Sequence, residues 1–171
     1  MPDGPHNFKT LYPDIRRLPP DQVGAAIRST LQTASSSQPT DMDRAALLGT
    51  KARSLDRSVI EPEVADFASQ SASPQKKEVV AWFLSAFWTP DSEPDGALVR
   101  LLCDWFESAP PPAADVRDAL ILALAAAYPA KIDPALKQKI YRIFQSLDSI
   151  ANQKRQESVI VAAVQRVLRS K

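Results

Sequence analysis

The run Asp115-Val116-Arg117-Asp118-Ala119-Leu120-Ile121-Leu122-Ala123-Leu124-Ala125-Ala126-Ala127-Tyr128 decides the fold, because its apolar residues recur elsewhere in the chain at a fixed distance. Shifted back by 40 residues, Leu120, Ala123, Leu124, Ala127 and Tyr128 fall on Val80, Phe83, Leu84, Phe87 and Trp88. Shifted forward by 40, they fall on Ile160, Ala163, Val164, Val167 and Leu168. Each set has the i, i+3, i+4, i+7, i+8 spacing that gathers five side chains on one face of an α-helix. A second family lies between them at a spacing of 38: Ile60, Val64, Phe67 and Ala68, then Leu98, Leu102, Trp105 and Phe106, then Leu136, Ile140, Ile143 and Phe144. Val23, Ile27 and Leu31 make a looser fourth copy. Two interleaved helix families with nearly one period predict αα-hairpins stacked in line, each touching chiefly its neighbours.

Proline punctuates this pattern. The chain has 15 prolines and four glycines in 171 residues, a balance that disfavours a flexible polymer. Pro62, Pro74, Pro94, Pro112 and Pro134 stand at the heads of helically spaced stretches, where a missing N–H costs nothing, and read as helix starts. Ser73, Ser92 and Asp133 are the matching capping residues. Pro39, Pro90, Pro110, Pro111 and Pro129 read as helix stops. Cutting at these marks predicts eight helices, at about 20–34, 41–56, 60–71, 74–88, 94–108, 112–128, 134–148 and 152–169. Short connections make neighbours antiparallel. No segment alternates with period two between hairpin turns, and the β-branched run Val159-Ile160-Val161 lies inside a 3.6-residue pattern. The expectation is an all-α fold: a right-handed α-solenoid of about four antiparallel helix pairs. One domain would span 19–171, with repeats at about 19–57, 58–90, 91–129 and 130–171. Residues 1–18 would form a Pro-rich tail that caps the stack or docks on a partner through Phe8, Leu11 and Tyr12.

Asp115-Val116-Arg117, followed by Ala119, Ala123 and Leu124, resembles the second helix of a HEAT repeat, and the 40-residue period lies within that family's range. The resemblance implies a binding scaffold whose second helices commonly line a concave face. A few relatives act on DNA bases or tetrapyrroles, so fold alone does not choose the function.

Composition narrows the classes. Twenty-one basic and 20 acidic residues leave a net charge of +1, so only a local patch can attract a charged partner. The single cysteine, Cys103, forms no internal disulfide, and the single histidine, His6, lacks the company that a zinc site or a Ser-His-Asp triad needs. No apolar run reaches the roughly 20 residues of a spanning helix, and the start Met1-Pro2-Asp3-Gly4-Pro5 lacks the form of a signal peptide. A cytoplasmic protein with no metal, no cofactor, no membrane contact and no catalytic chemistry is expected. Asp104 and Glu107, one helical turn apart, are ordinary surface carboxylates without an accompanying base or nucleophile. Cys103 sits among stripe residues and reads as a small buried hydrophobe.

The candidate partner-binding residues come from the 40-residue alignment. It places Ala81, Ile121 and Val161 in one row, and Trp82, Leu122 and Ala162 in the row beside it. These rows read either as an apolar ribbon for a partner helix, with Trp82 as anchor, or as buried core. At the heads of the same helices Lys77, Arg117 and Glu157 align, beside Glu78, Asp118 and Ser158, as bridges between repeats or as a recognition rim. Net charge is +2 over residues 1–57, −7 over 58–118 and +6 over 119–171. The last repeat therefore offers a basic patch, Lys137, Lys139, Arg142, Lys154 and Arg155, that suits phosphates or an acidic protein. Three partner-binding readings follow. The first is an adaptor or scaffold that docks a protein partner on its helical surface. The others are a nucleic-acid binder using the basic repeat and an immunity-type inhibitor using the acidic middle around Glu61, Glu63 and Asp66.

Overall fold

Proline at a first helical position is the commonest start signal in this chain, and the computed structural model uses it four times. The structure describes residues 17–33, 39–55, 57–70, 73–147 and 159–170, and every regular element among them is an α-helix. They are α1 (Pro20–Thr33), α2 (Pro39–Ala52), α3 (Arg57–Gln70), α4 (Pro74–Phe87), α5 (Gly96–Phe106), α6 (Ala114–Ala127), α7 (Pro134–Gln145) and α8 (Val159–Arg169). The expected caps hold at α4, where Ser73 Oγ accepts from Lys76 N–H, and at α7, where Asp133 accepts from Ala135 N–H at 2.7 Å.

Five proline or cap expectations are corrected. Pro39 opens α2 rather than ending α1. Pro62 lies inside α3, which already begins at Arg57. Its ring is exposed while Glu61 before it is anchored in the interior, so tertiary contact outweighs the lost backbone bond. Pro94 and Pro112 each precede the first helical residue by two positions, and Asp95 caps α5 by accepting from Ala97 N–H at 2.8 Å. Ser92 caps no helix. Its hydroxyl accepts from Thr89 N–H and donates to the Thr89 carbonyl, while its own carbonyl accepts from Lys131 N–H at 3.0 Å. That bond ties the α4–α5 connection to the α6–α7 connection.

The helices pack in two interlocked sets. The dominant contacts run α2 to α4, α4 to α6 and α6 to α8, with α1 touching α3, α5 touching α7, and each sequence-adjacent pair α1/α2, α3/α4, α5/α6 and α7/α8 in contact. The even-numbered helices thus form a row, and α4 and α6 have neighbours on both sides as well as against the odd-numbered set. That placement explains why they are apolar around most of their circumference. Val79, Val80, Ala81, Phe83, Leu84 and Phe87 of α4 are buried, as are Ala119, Leu120, Ile121, Ala123, Leu124, Ala125 and Ala127 of α6. The rings of Phe83 and Phe87 stack with centroids 5.5 Å apart.

Two local devices fix this packing. At Gly49 of α2, a Cβ would stand 2.3 Å from the Phe83 carbonyl oxygen of α4 and 3.2 Å from Ala86 Cβ. Only glycine lets the two backbones approach so closely. At the other device, Glu61 of α3 is only 7% exposed, and its carboxylate accepts from the Trp88 indole N–H and from the Asp95 backbone N–H, each at 3.1 Å. One side chain of the odd set thereby holds both ends of the α4–α5 connection.

Replacing glycine by alanine in an open helix gains about 1 kcal/mol of propensity. Gly49→Ala is expected to do the opposite, losing about 1–3 kcal/mol because the α2–α4 backbones must separate. Urea denaturation checks the sign, and a variant as stable as the parent would mean that this crossing is not tight.

Candidate interaction surface

The two rows drawn from the 40-residue alignment separate cleanly in the structure. Ala81 and Ile121 have no exposed surface and Val161 is 4% exposed, so this row is interior packing and offers a partner nothing to touch. The expectation of an open ribbon through these three residues is corrected: α4 and α6 each turn that face toward neighbouring helices. Trp82 and Leu122, one position on, are half-buried at the edge of the core, and Ala162 is exposed. The helical rotation of about 100° per residue accounts for the difference.

Around Trp82 the α4 and α6 heads bring charges together. The Trp82 indole, a donor only, stands one turn after Glu78 on α4 and favours the ionised form of its carboxylate. Glu78 is buried, and burial pushes its carboxyl above the usual carboxylate range, with the Asp115 charge of α6 adding to the rise and the Trp82 indole opposing it. Asp118 is raised likewise by burial and by Asp115, against the pull of Arg117. Arg117 pairs with Asp118 on its own helix at 3.8 Å and does not reach α4. Lys77 turns the other way, its ammonium 5.5 Å from the Trp105 ring centroid, and borders a cavity of about 270 Å³ walled by Pro74, Pro110, Pro111, Pro112 and Val116. Lys77 and Arg117 therefore do not form the expected charge bridge between repeats, and Glu157 and Ser158 lie outside the described residues.

The expected basic patch is divided. Lys139 reaches from α7 to α5, 3.2 Å from Asp104 and 3.7 Å from Glu107, and its hydrogen bond to Asp104 chiefly raises its pKa. Lys137 lies over the Tyr128 ring at 5.5 Å. Arg142 is exposed beside a cleft of about 570 Å³ between α5 and α7, floored by Phe106 and Ile143. Lys154 and Arg155 lie outside the described residues. The acidic middle is divided too. Glu61 is interior, Glu63 pairs with Arg28 at 3.1 Å, and Asp66 alone of the three is exposed. Sequence reading missed the Lys139–Asp104 and Arg28–Glu63 links, whose common spacing of 35 residues is a signal that an odd-helix alignment exposes.

Cys103 is fully buried, and burial first of all pushes its thiol up to about 11, with Asp104 and Glu107 adding to the rise and Lys139 opposing it. No group of three or more His, Cys, Asp or Glu among the described residues is arranged to hold a metal ion, and no helix there is long and apolar enough to cross a membrane. The chain matches no known family, no curated protein and no solved structure.

Two outcomes follow from these titrating groups. A carboxyl whose folded pKa is raised binds its proton in the native state before the unfolded chain does, so its ionisation destabilises the fold as pH rises from the ordinary value of 4.5 through the raised one. Glu78→Gln, which keeps an acceptor for Trp82, is expected to melt above the parent at pH 7, with the difference closing as pH falls below 4.5. A constant difference across that range would show that ionisation of Glu78 is not the cause. The Cys103 thiol should react with a chromogenic disulfide reagent in native buffer only at the rate of structural opening, and at once in denaturant. Fast native reaction would contradict its burial.

Proposed function

We propose that this protein is a non-catalytic interaction module, an adaptor that presents a fixed helical surface to a protein partner. In this reading the eight helices form four antiparallel pairs of a right-handed, HEAT-like αα-solenoid that works in the cytoplasm. The two interlocked helix sets and the 38–40-residue periods support that frame. The observation that carries the functional reading is Trp82. It is a large amphipathic side chain left partly exposed on α4, with the partly exposed Leu122 at the matching position of the neighbouring helix α6. A large aromatic mounted on a helix that the core holds on several sides is the kind of side chain from which binding hot spots are built. The nucleic-acid alternative draws less support, because Lys139 is already neutralised by Asp104 and Glu107. The inhibitor alternative loses Glu61 to the interior and Glu63 to Arg28.

The test is affinity capture from the source lysate with and without nuclease, comparing the parent chain with Trp82→Ala. A hot spot of about 2 kcal/mol corresponds to a loss of about thirtyfold in affinity. The expected result is a discrete polypeptide retained by the parent and lost with Trp82→Ala, while circular dichroism of the variant stays helical. No retained polypeptide, or retention that collapses with nuclease, would overturn the module reading. Ile121→Asp is unsuitable as a probe, since a carboxylate at a fully buried position unfolds the core.

A further inference from the structure

The α4–α6 face carries an imbalance that the rest of the molecule does not. α4 and α6 pack side by side, and Trp82 and Leu122 are each the ninth residue of their helices, one turn past Glu78 and Asp118 respectively and, for Leu122, two turns past Asp115. Beyond them Ser85 of α4 and Ala126 of α6 are half-buried small residues, so the face is shallow where it leaves the acidic edge. Three carboxylates, Glu78, Asp115 and Asp118, stand at that edge against one guanidinium, Arg117. Asp115 is exposed and has no ion-pair partner among the described residues. Lys77, adjacent to Glu78 in sequence, has its ammonium over the Trp105 ring. By contrast, the central cation of the α5–α7 cleft, Lys139, already has its two carboxylates.

We propose that this face receives a basic amphipathic segment of a protein partner, with an apolar side chain against Trp82 and Leu122 and an adjacent Lys or Arg reaching Asp115 and Asp118. The inference rests on the module reading and specifies its surface and the chemistry of its partner. An apolar face bounded by net negative charge, as this one is among the described residues, selects for lysine or arginine beside the apolar anchor and repels acidic segments and phosphates. Glu78 lies beneath the edge, one turn before Trp82, and adds its charge to that of Asp115 and Asp118.

The experiment uses the full chain and two synthetic amphipathic helices that share one leucine face, one with lysine and one with glutamate at its polar positions. Binding is followed by calorimetry in low and moderate salt. The lysine peptide should bind at least about tenfold tighter than the glutamate peptide. The combined variant Glu78→Gln, Asp115→Asn and Asp118→Asn should bind it about tenfold more weakly and with a flatter salt dependence. Leu122→Asp should weaken the contact by disrupting the apolar floor. Equal affinity for the two peptides, undiminished binding by the neutralised variant, or no saturable binding of the lysine peptide would each overturn the proposal. Lysate capture separates this failure from that of the module reading. A partner retained in full by the neutralised variant overturns only the acidic-edge inference, whereas no partner on the parent chain overturns both.

Discussion

The close crossing of α2 and α4 at Gly49 is the constraint from which the rest of the structure extends. With the Phe83 carbonyl where a Cβ would be, the two helices meet backbone to backbone over their most extensive contact. Phe83 is thereby pressed into the interior and stacks on Phe87, whose neighbour Trp88 turns its indole to Glu61. Arg53, just past the end of α2, donates to the Ala86 carbonyl and so satisfies part of the open C-terminal turn of α4. Backbone contact, aromatic stack and buried polar clamp are consecutive links in one chain of contacts, and α6 and α8 pack onto its far side.

Burial of α4 and α6 on several sides explains how much of the molecule was legible in the sequence. The stripes at 80–88, 120–128 and 160–168 repeat because the even-numbered helices occupy equivalent places in a row. Helix existence and order followed from that periodicity, as did the starts at Pro74 and Pro134, whose caps are local. Pro39 and Pro62 were misread because proline punctuation is ambiguous: the same residue suits the first turn of one helix and the loop after another. Nothing local to Pro62 reports that Glu61 is held by Trp88 and Asp95, respectively 27 and 34 residues away. Between the residues 81, 121 and 161 and the residues 82, 122 and 162, one position of helical rotation divides interior from surface. Whole-helix apolarity conceals where that division falls.

Buried and half-buried charge in this protein follows two contrasting rules. Glu61 is fully engaged by two donors from separate positions, and a carboxylate so satisfied adds specificity to the α3–α4–α5 junction. Glu78 has a favourable neighbour in the Trp82 indole and an unfavourable one in Asp115. Burial and repulsion both oppose its ionised form, so the native state carries an electrostatic cost there at neutral pH. Structural necessity does not call for that cost, because a neutral glutamine in the same place would still offer the indole an acceptor.

A site that is costly in the free protein and relieved by an incoming cation converts stored repulsion into affinity. The same carboxylates penalise an acidic segment, so discrimination arises from the protein before any partner contact is optimised. The surrounding scaffold makes this effective. Trp82 and Leu122 are mounted on two helices that the core holds on several sides, and a rigid mounting keeps the apolar anchor and the acidic edge at a fixed separation. A loop bearing the same side chains would relax away from the repulsion and lose the preference. In the proposed reading, the near-complete burial of the α4–α6 pair is what lets a shallow surface distinguish basic from acidic partners.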